Sequence, residues 1–269
     1  MIHFTKLHGN GNDFILIDEY RNVIIPDTEK SEFAVKYCDR RFGIGADGVL
    51  YLEDSRSADI GMRIFNADGT EAEMCGNGIR CLVKYAFDKG YIKEAARVET
   101  LAGVLSITSR IADGIWISVD MGKPEFAREN LPAIGTGEFI RVSMYGYKVS
   151  AVNTGVPHAV IFVDSLDDTL IADAPRIRYD PMFPKGTNVN FVHIDSKNEI
   201  TVRTYERGVE GETLSCGTGS VAAAAIAHKL GKTGNRIKVN TKGGELVITI
   251  KDGTAFMEGQ AERVFDGMI

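Results

Sequence analysis

Two stretches of this chain start alike and stop alike. Cys75 opens Cys-Gly-Asn-Gly and a helical run that stops at Lys89-Gly90, and Cys216 opens Cys-Gly-Thr-Gly and a run that reaches Leu230-Gly231. The cysteines and the closing glycines are both 141 residues apart. Downstream, the same offset lays residues 98–107 over 239–248, with five of the ten positions identical. Upstream, residues 62–66 lie over 202–206 at offset 140, one extra residue in Gly-Val-Glu-Gly-Glu absorbing the slip, and residues 9–18 lie over 155–164 at offset 146. Matches in one order along both halves define a duplicated unit of about 140 residues, too long for a solenoid repeat.

Each half shares one grammar. Short apolar or alternating runs bounded by Gly, Asp and Asn predict strands at 14–17, 49–52, 104–107 and 115–119, and again at 159–163, 190–194, 200–205 and 246–250. The one long helix of each half follows its cysteine. Ile79, Leu82, Val83, Ala86 and Phe87 fall at i, i+3, i+4, i+7 and i+8. The second run, SVAAAAIAHKL, is apolar nearly all round, which predicts a helix buried on most sides. Gly90 and Gly231 are placed as helix stops. The simplest arrangement is an α/β (α+β) fold in which strands wrap one central helix per half. Residues 123–137, with Pro124, Pro132, Gly135 and Gly137, form the expected crossover.

Composition narrows the partners. At 44% hydrophobic and 25% charged residues the chain is an ordinary globular one, and a net charge of −6 without a Lys/Arg stripe argues against nucleic acid. No stretch reaches the roughly 18 apolar residues of a membrane span. The N-terminal residues lack the pattern of a signal peptide, so a cytoplasmic protein with no membrane partner is expected. Cys38, Cys75, Cys81 and Cys216 follow no zinc spacing. All four are expected as thiols, Cys38 and Cys81 serving as small buried hydrophobes.

A single Cys-Gly-x-Gly is most often a tight turn with a buried cysteine. Two of them at equivalent places in a duplication ask for another account. The first-turn N–H groups of a helix are unpaired and partly positive. They lower the pKa of a thiol placed there and offer a site for a carboxylate, while glycine lets the backbone come close to a ligand. Two homologous halves facing across a pseudo-two-fold axis would set one thiol on each face of a substrate α-carbon. One sulfur, as thiolate, removes the proton and the other, as thiol, returns one to the opposite face, while the helix starts stabilise charge on the carboxylate. Such inversion of a small amino acid needs neither pyridoxal phosphate nor a metal. Neither helix start has Rossmann or P-loop spacing.

The run NADGTEAEMCGNGIR, residues 66–80, closely resembles the signature of the diaminopimelate epimerase family, departing from it in Thr70 where the family has Ser. The resemblance covers essentially the whole chain, through KLHGNGNDFILID, RFGIGADGV, NTGVPHAV, GTNVNFV and YERGVEGETLSCGTGSVAAAA. It implies two pseudo-symmetric lobes, residues 1–120 with the tail 262–269 and residues 121–261, each a curled mixed β-sheet around a central helix. It also implies cofactor-free epimerisation of LL-2,6-diaminopimelate to the meso form, in lysine and peptidoglycan precursor biosynthesis, by a homodimer. Carried over by motif, Cys75 and Cys216 are the catalytic pair and Gly76, Asn77, Gly217 and Thr218 hold the reacting end. Asn12, Asn66, Asn188, Glu206 and Arg207 hold the distal amino-acid end, and His158 lies near the site.

Chemistry favours that division, because a distal ammonium and carboxylate call for an anion and a cation, which Glu206-Arg207 supplies. Asn12, in Gly-Asn-Gly-Asn, has the alternative of shaping a turn, and His158 after Pro157 that of a structural histidine. Two departures fall near the substrate pocket of the family: Val156 where many members have Asn, and Gly48 where some have Gln. A proline racemase or hydroxyproline epimerase is the nearest rival, although its first motif is commonly Cys-Gly-His-Gly rather than the motif that holds Asn77. Phenazine-biosynthesis relatives share the fold and lack the thiol pair. A two-lobed amino-acid-binding module would not require two thiols.

Overall fold

Asn10 and Gly11 both have positive φ, 54° and 80°, as a two-residue Asn-Gly hairpin turn requires. They join β1 (His3–Gly9) to β2 (Asn12–Glu19). The computed structural model describes residues 1–269 and divides into two units, Met1–Val119 with Gly259–Ile269, and Asp120–Glu258. Unit one continues with α1 (Asp27–Cys38), β3 (Gly48–Glu53), β4 (Ile60–Asn66), β5 (Glu71–Ala72), α2 (Gly76–Asp88), β6 (Ala95–Thr100), β7 (Gly103–Ala112) and β8 (Gly114–Asp120). Unit two holds β9 (Val142–Met144), β10 (Tyr147–Asn153), β11 (Pro157–Phe162), α3 (Thr169–Arg178), β12 (Asn188–Ser196), β13 (Glu199–Glu206), β14 (Gly211–Thr213), α4 (Gly217–Lys229), β15 (Arg236–Thr241), β16 (Gly244–Lys251) and β17 (Thr254–Gln260). The last strand, β18 (Glu262–Met268), returns to pair antiparallel with β1.

The strand pairings of one unit repeat in the other. In unit one, β2 pairs parallel with β3, β3 antiparallel with β4, β4 antiparallel with β5 and parallel with β6, and β6 antiparallel with β7. The same five relations link β11, β12, β13, β14, β15 and β16 in unit two. Each parallel pair β2–β3 and β11–β12 is bridged by a helix, as parallel neighbours need a crossover. The register refines the duplication. Phe14 lies beside Gly48 and Gly48 opposite Asn66, while His158 lies beside Asn188. With Val189 opposite Tyr205, Asn188 falls opposite Glu206, so His158 matches Phe14 and β11 follows β2 at 144 rather than 146. A two-residue difference keeps every side chain on its own face, which is why the sequence tolerated either alignment.

Both faces of the central strands are covered. In unit one, Ile15, Ile17, Val49 and Tyr51 pack with Phe33, Ala34 and Cys38 of α1. The alternate residues turn to α2, which lies against β1, β2, β3, β4 and β18. In unit two, Val189 and Phe191 cluster with Ala174 and Ile177 of α3, and Val192 with Val221, Ala222 and Ala223 of α4. α4 is buried from Gly219 through Ala227, as its composition required. Gly90 and Gly231 follow the two helices at φ 73° and 67°, the left-handed conformation that ends a helix. No helix is long and apolar enough to cross a membrane.

The second helix of each unit, α1 and α3, was not expected. On α1 the buried positions are Lys30, Phe33, Ala34 and Cys38. The first breaks the apolar pattern because its ammonium, fully buried, is held by Glu19 at 2.7 Å and Glu53 at 2.6 Å. On α3 an internal Pro175 interrupts the helical signal. Residues 123–137 belong to unit two, where Leu131 is buried and Glu125 bridges to Asn153.

Candidate active site

Cys75 and Cys216 hold the same local position. Each is the N-cap of the central helix of its unit, with extended backbone (φ −139° and −118°). Each carbonyl takes the first helical hydrogen bond, from Ile79 N at 2.8 Å and from Ser220 N at 2.9 Å. Cys38 and Cys81 are free thiols in the core, and burial pushes Cys38 up to about 12 and raises Cys81 further. Neither is suited to ionise near neutrality.

In unit one the sulfur of Cys75 accepts from Gly78 N at 3.4 Å and donates to Asn12 Oδ1 at 3.6 Å. Asn77 Nδ2 reaches the same Asn12 oxygen at 3.2 Å, and Asn12 Nδ2 donates to Asp47 at 2.7 Å. Asn10 and Gly11 make the turn, while Asn12 starts β2 and aims its amide at the helix start. Arg80, fully buried, fastens this corner: it donates to Gly76 O at 3.0 Å, Asn77 Oδ1 at 2.9 Å and Asn10 Oδ1 at 2.7 Å. Asn66 ends β4, exposed, with its amide on the Thr70 hydroxyl at 3.0 Å.

In unit two Cys216 is buried, 8% exposed, with its sulfur 3.4 Å from Thr218 Oγ1, which is 2.9 Å from His158 Nε2. Asn190 meets the other ring nitrogen of His158 at 3.1 Å. Thr154 donates to Thr218 O at 3.0 Å, tying the first turn of α4 to the end of β10. Asn188 donates to Pro157 O at 3.1 Å and accepts from Arg207 N at 2.8 Å. Glu206 accepts from the Thr213 hydroxyl, and the Arg207 guanidinium donates to Lys185 O at 3.0 Å. Asn188, Glu206 and Arg207 thus share the end of the β12–β13 ladder.

The structure therefore gathers Cys75, Gly76, Asn77 and Asn12 at one helix start and Cys216, Gly217, Thr218 and His158 at the other. Asn66 sits at the unit-one position that matches Glu206, linked through Thr70 rather than to Cys75. Arg80, Asn10, Asp47, Asn190, Thr154 and Thr204, whose hydroxyl donates to Asn190 Oδ1 at 3.0 Å, were not singled out from sequence. The available signal was polarity in a buried run: Asn188 and Asn190 alternate with Val189 and Phe191 in a stretch buried throughout.

Burial, with a smaller push from the Arg207 guanidinium, lowers His158 from its ordinary 6.5 to about 3. The folded protein holds this ring neutral where the unfolded chain protonates it. Below about pH 6.5 the unfolded state binds one more proton, so stability falls as pH falls, by at most about 1.4 kcal/mol per pH unit. The contribution is whole above pH 6.5 and is lost toward pH 3. Urea midpoints at pH 7, 6 and 5 should decline in the native protein and decline less in His158→Gln. Parallel slopes would assign the dependence to another group.

Solved structures place this architecture. A phenazine biosynthesis protein of the PhzF family from Bacillus anthracis superposes with a TM-score of 0.74 at 17% identity, covering 100% of this chain and 99% of that one. A hydroxyproline epimerase from Agrobacterium vitis gives 0.68 at 16% identity, covering 99% and 91%. Likeness at these identities carries the fold alone. The family model for diaminopimelate epimerase matches residues 4–127 and 150–264. Diaminopimelate epimerases of Methanothrix thermoacetophila and Archaeoglobus fulgidus are 57% and 54% identical, each covering 100% of this chain and 96% of the relative. The chain belongs to the diaminopimelate epimerase family and is an isomerase.

Proposed function

We propose that this protein converts LL-2,6-diaminopimelate to the meso isomer, with Cys75 and Cys216 as a thiolate and thiol pair, in the supply of lysine and peptidoglycan precursors. The observation that carries the reading is the equivalence of the two cysteines: each caps the buried central helix of its unit, 141 residues apart, in a chain of this family. The thiolate removes the α-proton and the thiol protonates the other face. First-turn N–H groups of both helices stabilise the carboxylate as the carbanion charge spreads onto it. The two sulfurs supply both proton-transfer groups, so the scheme calls for no cofactor. Asn188, Glu206 and Arg207 take the distal ammonium and carboxylate.

Proton NMR of LL-diaminopimelate in D2O with reduced protein tests this directly. Loss of the α-proton signal together with growth of the meso isomer is the expected result. No exchange under verified reducing conditions would overturn the substrate, and proline and hydroxyproline would be screened next. Arg207→Ala should raise the KM for diaminopimelate roughly 10–100-fold through loss of a charge-assisted contact. Proton exchange on a simpler amino acid should change less. Equal losses on both would contradict a distal role for Arg207.

A further inference from the structure

The hydrogen bonds behind Cys216 run in one direction. The carbonyl of Ala159 can only accept, so the Asn190 group 2.9 Å from it is the amide NH2. The other end of that amide, Oδ1, accepts from the Thr204 hydroxyl at 3.0 Å. The second N–H of Asn190 then points at His158 Nδ1, 3.1 Å away, which must be the bare nitrogen. A neutral ring with Nδ1 bare carries its proton on Nε2. That proton goes to Thr218 Oγ1 at 2.9 Å, leaving the Thr218 hydroxyl proton to face Cys216 Sγ at 3.4 Å.

We infer that Asn190 is a positioning residue for Cys216: by fixing which nitrogen of His158 is protonated, it aims the Thr218 hydroxyl at the sulfur and favours the thiolate. The inference rests on the reading of Cys216 as a proton-transfer group. Its setting makes the direction obligatory. Asn190 and His158 are fully buried, so a reversed amide would oppose two carbonyl oxygens with no water to relieve them. Arg207 is the charged group that bears on the ring, and it disfavours a second proton there.

Unit one supplies the control. By register, its counterparts of His158, Asn190 and Thr204 are Phe14, Leu50 and Ile64. A Cβ on Gly78 would meet Leu50 and Ile64, as a Cβ on Gly219 would meet Asn190 and Thr204. The same sheet and helix are thus built with three apolar side chains, so the buried polar trio of unit two is not needed to hold them together. At Cys75 the sulfur instead donates to Asn12 Oδ1. The duplicated helix starts thus set different side chains against their two sulfurs: an amide oxygen, which can only accept, at Cys75, and a hydroxyl, which can donate, at Cys216.

Nitrogen NMR of protein labelled with 15N-histidine, the signal assigned with His158→Gln, locates the proton without substrate. A proton on Nε2 at neutral pH supports the inference; one on Nδ1 overturns it, whether or not any variant folds. In Cys75→Ser protein, iodoacetamide labelling followed at each cysteine by mass spectrometry reports on Cys216, which is 8% exposed against 2% for Cys38 and 0% for Cys81. Asn190→Ala should scramble the tautomer and slow this alkylation about tenfold, as loss of one hydrogen bond to a thiolate would. Thr218→Val should slow it equally, Thr218→Ser should keep it, and Asn190→Ala added to Thr218→Val should change nothing more. No slowing in Asn190→Ala, or a further tenfold loss in the double variant, would overturn the inference. None of these readouts uses diaminopimelate, so a failed substrate assignment leaves them standing.

Discussion

Replacing either Cys75 or Cys216 with Ser is expected to lower epimerisation by roughly 10²–10⁴-fold, the loss that follows removal of a positioned acid or base. Serine is a preferred N-cap, so each helix start keeps its geometry while a hydroxyl, far less acidic than a thiol, takes the place of the sulfur. Circular dichroism and the urea midpoint should be near native in both variants, and the steady-state rate should carry the whole effect. A near-normal rate in either one would rule out a scheme in which both sulfurs move protons. The double variant separates an enzyme from a binding module. A module would keep its affinity for the amino acid and have no turnover to lose, whereas an epimerase would still bind and no longer exchange the α-proton.

The parts of the fold that could be read from the chain are those where side-chain type and burial agree. α4 is apolar all round and buried; α2 shows its apolar face at helical spacing; each ends at a left-handed glycine. α1 escaped because Lys30 occupies a core position through ion pairs with Glu19 and Glu53, partners distant in sequence. α3 escaped because Pro175 reads as a break although it lies within the helix. The helix starts were legible for another reason: Cys-Gly-x-Gly is rare enough that its recurrence stands out. Behind Cys216, His158 was reached only through the family motif, and Asn190 and Thr204 were not reached at all, since the matching positions of the first copy are the apolar Phe14, Leu50 and Ile64. That mismatch is itself the signal. Where two copies of one strand differ by polar against apolar at a core-facing position, the polar copy holds something that folding alone does not ask for.

The same mismatch predicts unequal costs for one substitution made at two equivalent glycines. A Cβ on Gly219 would stand 2.5 Å from Asn190 Oδ1 and 3.2 Å from Thr204 Oγ1. Asn190 cannot yield without dropping its bonds to Ala159 O and His158 Nδ1. Gly219→Ala should therefore cost about 3–5 kcal/mol, combining overpacking with a displaced buried amide. It should also slow turnover, since the His158–Thr218 contact moves with Asn190. A Cβ on Gly78 would stand 3.1 Å from Leu50 Cδ2, the end of a side chain that can rotate away. Alanine is preferred to glycine within a helix by about 1 kcal/mol, so Gly78→Ala should be close to neutral. Urea unfolding of the two variants decides the matter. Equal midpoints would mean that Asn190 is free to move, and the directed chain to Cys216 would lose its anchor; a large gap would show that the second glycine of Cys-Gly-Thr-Gly is there to admit Asn190.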